Sequence, residues 1–295
     1  MRQLWGYLRE RFPLPLTALM AVSFGLLAAG LFAREQRFGA GWWLSAGLLA
    51  VLYLALLLRY RVTDEWKDFA HDSAVYPDRP LQRGAITVRA LVLLGALALA
   101  VELAAALGAG GVPGLLWYLP FLALTALSAA DYFLKPLLAR HFTLDFVLHE
   151  LVYLPLFGWA AFVLGAGTGF TATAVLTGER FAVDRFWPTV MGVLAGTALL
   201  VGVEIVRKFQ PRHAADGAVV ADSYTAVWGR PAALTVLCLL MLAGGALAWP
   251  AGASLAPPLL AAVAVLALLV LRRSDTAVLV IGGAHLPLQA LAVLL

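Results

Sequence analysis

Nine stretches of about 20 mostly apolar residues recur along this chain, and a soluble core has no room for nine of them. They run 14–33, 41–60, 86–108, 114–134, 143–166, 187–206, 231–249, 256–272 and 276–295. A backbone in hydrocarbon must satisfy its own N–H and C=O groups, so stretches of this length fold as helices. At 1.5 Å per residue, ~20 residues cross the ~30 Å hydrocarbon layer. Composition agrees: 62% of the residues are hydrophobic and 13% charged, against about half and about a quarter in a soluble domain. The expectation is an all-α integral membrane protein, with about nine transmembrane helices in one bundle around a central cavity. Residues 1–295 read as a single polytopic membrane domain. The first stretch follows Arg9 and Arg11 in the manner of a signal peptide, but it is longer than one and the others repeat it.

Charge then gives an orientation. Of the 21 Lys and Arg residues, only Arg34, Arg37, Arg180 and Arg185 fall in connections on one side, which leaves 17 on the other. Lys and Arg accumulate on the cytoplasmic side of membrane proteins. The N-terminus and the polar loops 61–85 and 207–230 are therefore expected in the cytoplasm, and the C-terminus on the opposite side. The net charge of +4 follows from this topology and from contact with anionic membrane lipid, and nucleic acid is not an expected partner. A single cysteine, Cys238, lies in an apolar stretch, which excludes an internal disulfide and a cysteine metal cluster.

Loop 61–85 is the richest in chemistry. It contains Asp64, Glu65, Asp68 and Asp72, and then Arg79-Pro80-Leu81, Arg83 and Gly84. Acids at 64, 68 and 72 would stack on one helical face, where like charges repel. Such a stack needs a cation, and a hard divalent ion such as Mg²⁺ takes oxygen ligands and bridges to phosphate. Arg79 and Arg83 add guanidinium forks suited to phosphate. Acids for a metal and arginines for phosphate, at the mouth of apolar helices, point to a ligand with a phosphate head and an apolar tail.

These residues resemble the first signature of the UbiA superfamily of intramembrane prenyltransferases, Asn-Asp-x-x-Asp-x-x-x-Asp followed by Arg-Pro-Leu-x-x-Gly-x-[Ile/Val]-Thr. Asp68, Asp72, Arg79, Pro80, Leu81, Gly84, Ile86 and Thr87 match; Asp64 stands for the Asn and Glu65 for the first Asp. Tyr132-Phe-Leu-Lys135 is similar to the family's Tyr/Lys loop after the fourth span. The resemblance implies nine helices, Mg²⁺ as cofactor, and prenyl diphosphate with a small acceptor as substrates. It implies metal ligands among Asp64, Glu65, Asp68 and Asp72, diphosphate contacts from Arg79, Arg83 and Lys135, and catalysis resting on Asp68, Asp72 and Lys135.

The family's second signature is Asp-x-x-x-Asp at the end of the sixth helix. Here Glu204 takes the first position and Lys208 the second. Either Asp216 or Asp222 folds back to complete a metal site with Glu204, or Arg207 and Lys208 bind the diphosphate directly. The resemblance thus admits a prenyltransferase, a UbiA-type terpene cyclase that needs no acceptor, or a non-catalytic, permease-like member. Nothing in the sequence selects the acceptor, the isoprenoid length or an oligomeric state.

Three further polar features lie within apolar stretches. Asp145 and His149 are four apart and can pair on one helical face; Glu150 follows. Glu102 reads as a polar residue of bundle packing, and Asp131 as a neighbour of a ligand site. No nucleotide-binding loop and no His-Glu-x-x-His zinc motif is present.

Overall fold

The computed structural model describes residues 2–33, 37–165, 183–214, 216–252 and 254–295. It is built from helices: α1 (Arg2–Arg11), α2 (Leu14–Phe32), α3 (Ala40–Lys67), α4 (Phe69–Val75), α5 (Val88–Ala129), α6 (Lys135–Leu138), α7 (Phe142–Glu150), α8 (Tyr153–Leu164), α9 (Val183–Arg207), α10 (Tyr224–Trp228), α11 (Arg230–Gly252), α12 (Ala256–Val270) and α13 (Asp275–Ala292). One small hairpin, β1 (Arg212–His213) with β2 (Val219–Val220), interrupts the loop before α10.

Seven of the described segments are long and apolar enough to cross a membrane. One of them, α5, has 42 residues. Straight, it would run ~63 Å, about twice the hydrocarbon thickness. It is instead broken at Gly111, whose φ of 60° and ψ of −159° leave the helical region, a conformation that costs glycine little. The two halves fold back on each other. The Tyr118 hydroxyl donates to Glu102 at 2.6 Å, and Arg59 of α3 reaches both Glu102, at 2.7 and 2.9 Å, and Thr125, at 3.0 Å. So α5 covers both 86–108 and 114–134, and the shorter α12 covers 256–272. Each of the nine expected stretches coincides with helix, the fifth as α7 and α8 in series. Residue 166, Arg34 and Arg180 lie outside the described residues, as do the side chains of Arg2 and Arg185.

The middle of the bundle is α2, which touches α3, α8, α9, α11 and α13. Its Phe24 stacks on Tyr53 of α3, centroids 4.5 Å apart, and tilts against Phe157 of α8 at 5.2 Å. These rings occupy the core at mid-bundle. Gly25 permits the closest helix approach: a Cβ there would lie 2.2 Å from the backbone oxygen of Ala46. The outward faces carry Val92, Leu93, Leu97, Leu239, Leu259, Val263 and Leu266, all exposed. Apolar surface on that scale lies against lipid, and the chain is an integral membrane protein.

Contacts at the two ends of α3 place the two termini. Arg11 of α1 pairs with Glu65 at 2.6 Å, which sets α1 beside loop 61–85. Between α2 and α3, Arg37 donates to the carbonyls of Val293 at 2.5 Å and Leu294 at 3.4 Å. Residues 293 and 294 therefore pack beside the connection between α2 and α3, at the end of α3 away from Asp64.

Candidate functional site: two loops facing each other

The four-residue spacing of the first loop persists across the boundary between α3 and α4. Asp68 N–H donates to the Asp64 carbonyl at 2.9 Å, and Asp72 N–H to the Asp68 carbonyl at 2.8 Å. The carboxylates nevertheless separate into two kinds. Glu65 is buried and held by Arg11, at 2.6 Å, and Arg61, at 3.6 Å. Asp72 is buried against Arg79, whose guanidinium lies 3.9 Å over the Tyr76 ring. Asp64 and Asp68 are half-buried, and their carboxylates have no hydrogen bond or ion pair among the described residues. Burial raises the Asp68 carboxyl above the usual carboxylate range, and the Asp64 charge raises it further. A stack short of positive charge remains, as the spacing implied, but it is made of Asp64 and Asp68.

The second loop carries its own counterions. At the end of α9, Glu204 is buried; Arg207 grips it with two hydrogen bonds of 2.6 and 2.7 Å, and Lys208 stands 3.1 Å away. Arg207 in turn senses the charge of Asp64, so the ends of α3 and α9 are electrostatic neighbours. Glu150, at the end of α7, joins them beside Glu204, and its Oε2 is buried without a hydrogen-bond partner among the described residues. Asp222 reaches across to the first loop: it accepts from the Tyr76 hydroxyl at 2.8 Å and from Arg212 at 3.3 Å. Burial and Asp222 push the Tyr76 hydroxyl up to about 12, so it stays a donor at neutral pH. Asp222, Tyr76, Arg79 and Asp72 thus clasp one loop to the other. Asp216 acts only within its own turn, where it is exposed and accepts from Ala218 N–H at 2.9 Å between β1 and β2.

The remaining cations expected at the site lie further out. Arg83 pairs with Glu10 of α1 at 2.6 Å, with both side chains 44% exposed, which marks it as a surface pair. Lys135 opens α6 and is exposed, without an ion pair among the described residues. A cleft of about 440 Å³ separates α1, loop 75–80 and the β1–β2 hairpin, with Arg11, Tyr76, Arg79 and His213 on its walls.

One constellation was not legible in the sequence. Lys67 contacts Asp131 and lies 3.3 Å from His149 Nε2. Asp131 is delivered by three consecutive left-handed residues, Asp131, Tyr132 and Phe133, with φ of 51°, 53° and 59°. Left-handed non-glycine backbone is costly and rare in runs; here the Tyr132 hydroxyl ties it down by donating to the Leu148 carbonyl at 2.8 Å. Only the fold-back of α5 brings Asp131 to Lys67.

No protein-family model and no curated protein matches the sequence. A solved structure does: the apo form of a UbiA homolog from Aeropyrum pernix K1 aligns with a TM-score of 0.56 over 94% of both chains, at 18% identity. The chain has a UbiA-type fold. On that fold Asp64–Asp72 runs from the end of α3 into α4 and Glu204–Lys208 closes α9, which puts both on one face of the bundle.

Proposed function

We propose that the chain is a membrane-embedded prenyltransferase, which moves an isoprenoid from a prenyl diphosphate to a small acceptor. One observation carries this reading: on a UbiA-type fold, the carboxylates of Asp64 and Asp68 have no ion-pair partner among the described residues and lie within the electrostatic reach of Lys67 and Arg207. Their donor set is all oxygen, which suits Mg²⁺. Asp64 and Asp68 would hold the ion. Glu65, Asp72, Glu204 and Asp222 are already neutralised, and they would join only by exchanging an Arg, Lys or Tyr partner. Bound there, Mg²⁺ offsets negative charge on the diphosphate.

The chain's own residues do the rest. Arg207 and Lys208 present fixed positive charge to the leaving diphosphate, with Arg79 in reserve on Asp72. The allylic C–O bond breaks with its electron pair going to the diphosphate oxygen. Tyr53, Phe24 and Phe157 form a buried aromatic cluster in the bundle core, rings of the kind that stabilise an allylic cation. A nucleophilic atom of the acceptor then forms the new bond and loses its proton. The acidic-loop face is taken as cytoplasmic on the Lys/Arg asymmetry, and residues 1–295 as one polytopic domain.

A second reading, a terpene cyclase on the same diphosphate, is favoured by the α9 signature, where Glu204 is already satisfied by Arg207 and Lys208. The purified chain, given a prenyl diphosphate and Mg²⁺ alone, separates the two: a cyclic hydrocarbon or alcohol supports the cyclase. Diphosphate release that needs an added acceptor supports the transferase. If Asp64→Asn and Asp68→Asn leave all product formation unchanged, both enzyme readings fail and a permease-like role stands.

A further inference from the structure

Beside the acid stack lies a second group of ligating side chains that the proposed reaction does not use. Asp131, Asp145 and His149 each offer one atom, and these atoms lie within 4.8 Å of one another. Asp131 is buried; His149 and Asp145 are partly exposed. His149 Nδ1 is 2.9 Å from the Asp145 carbonyl oxygen. Nδ1 is also 3.2 Å from Asp145 Oδ1; with the proton on Nδ1, these contacts orient the ring and leave Nε2 as the nitrogen that accepts from a cation's side, as outer contacts do for metal-ligating histidines. Nε2 is 3.7 Å from Asp131 Oδ1 and 3.1 Å from the Ser128 carbonyl oxygen. A cation already sits here: the Lys67 ammonium, in contact with Asp131 and 3.3 Å from Nε2.

We propose that Asp131, Asp145 and His149 form a divalent transition-metal site, of the Zn²⁺ class, whose resident ion in this state is the Lys67 ammonium. One imidazole nitrogen and two carboxylates form the donor set of a three-ligand zinc site and discriminate against Mg²⁺. Charge supports the exchange. Two carboxylates against one ammonium leave a net negative group, which a divalent ion neutralises. Lys67 is partly exposed, and its flexible four-carbon stem can turn away towards solvent when a divalent ion takes its place. The strained turn at 131–133 fits a site held in readiness, since such backbone gathers where ligands are clamped. This inference does not depend on the chain being a prenyltransferase.

The test is Zn²⁺ titration of the detergent-solubilised full chain in excess Mg²⁺, which fills oxygen-only sites, followed by calorimetry. The expected result is one Zn²⁺ equivalent in the wild type. Lys67→Met should bind it ~10–100-fold more tightly, the usual size of effects from groups just outside a metal's ligands. His149→Ala and Asp131→Asn should lose it, and the Asp64→Asn/Asp68→Asn double variant should keep it. The site is overturned if the wild type binds no Zn²⁺ under these conditions. It is equally overturned if binding survives His149→Ala, or if the double variant abolishes it, since the ion would then belong to the acid stack. Should Lys67→Met not fold, the comparison of wild type with His149→Ala decides by itself.

Discussion

The two loops of the acidic face differ in how they handle charge. At the end of α9, Glu204 meets Arg207 three residues on and Lys208 four residues on, so one helical turn neutralises it. At the end of α3 the acids are spaced alike, but their cations come from elsewhere: Arg11 from α1 for Glu65, and Arg79 from the following loop for Asp72. Those partners serve two of the four acids and leave Asp64 and Asp68 unserved. A local ion pair closes a site, whereas distant counterions leave a gap that a bound cation can fill.

Several measurements can break or sharpen that contrast. The largest effect is expected from Asp64→Asn and Asp68→Asn, each lowering diphosphate release from a prenyl diphosphate by ~10²–10³-fold, the cost of removing one electrostatic stabiliser. A loss as large in Glu65→Gln, with none in Asp68→Asn, would reverse the assignment of the unserved pair. Next, Arg207→Ala should strand a buried Glu204 carboxylate and destabilise the fold by about 3–5 kcal/mol; Lys208→Ala, leaving the bidentate pair intact, should cost much less. Thermal unfolding of the two variants tests this, and equal costs would show that Glu204 does not depend on the Arg207 fork. Tyr76→Phe removes the bond to Asp222 that joins the loops, worth about 1 kcal/mol; the proteolysis rate of loop 207–230 should rise, and an unchanged rate would remove Tyr76 from the clasp.

The smallest effect is one of pH. The folded Asp68 carboxyl holds its proton to a higher pH than the unfolded chain does. Between its ordinary value and that raised one the folded state binds more protons, so stability in chelator rises as pH falls through the window. Activity moves the other way, because the protonated carboxyl no longer holds a metal. Asp68→Asn should flatten the stability rise; a rise that persists belongs to another group.

Much of the fold was legible because hydrocarbon leaves the backbone few choices. Each apolar stretch became helix, and Gly111, between the third and fourth stretches, ends the first half of α5. Trp42 shows where that reasoning stopped. A tryptophan at the start of an apolar stretch normally rests at the membrane interface, yet Trp42 is buried and donates to the Ala29 carbonyl at 3.2 Å, because Gly25 lets α2 and α3 approach closely. The site was legible as a set of acids and arginines but not as pairs. Spacing says which side chains share a helical face, and it is silent about a cation arriving from Arg11, more than fifty residues away.

By itself, then, the sequence determined the nine apolar stretches, the all-helical class, the two polar loops and the residue types at their ends. Those follow from local physics: hydrocarbon demands internal hydrogen bonds, and helical periodicity places neighbours three and four apart. Only the tertiary structure decided which carboxylates keep a free charge, that Asp222 rather than Asp216 reaches the first loop, and that Lys67 meets Asp131 and His149. Charge compensation acts through space, and the distances that govern it exist only once α1, the folded-back α5 and α9 have packed around α3.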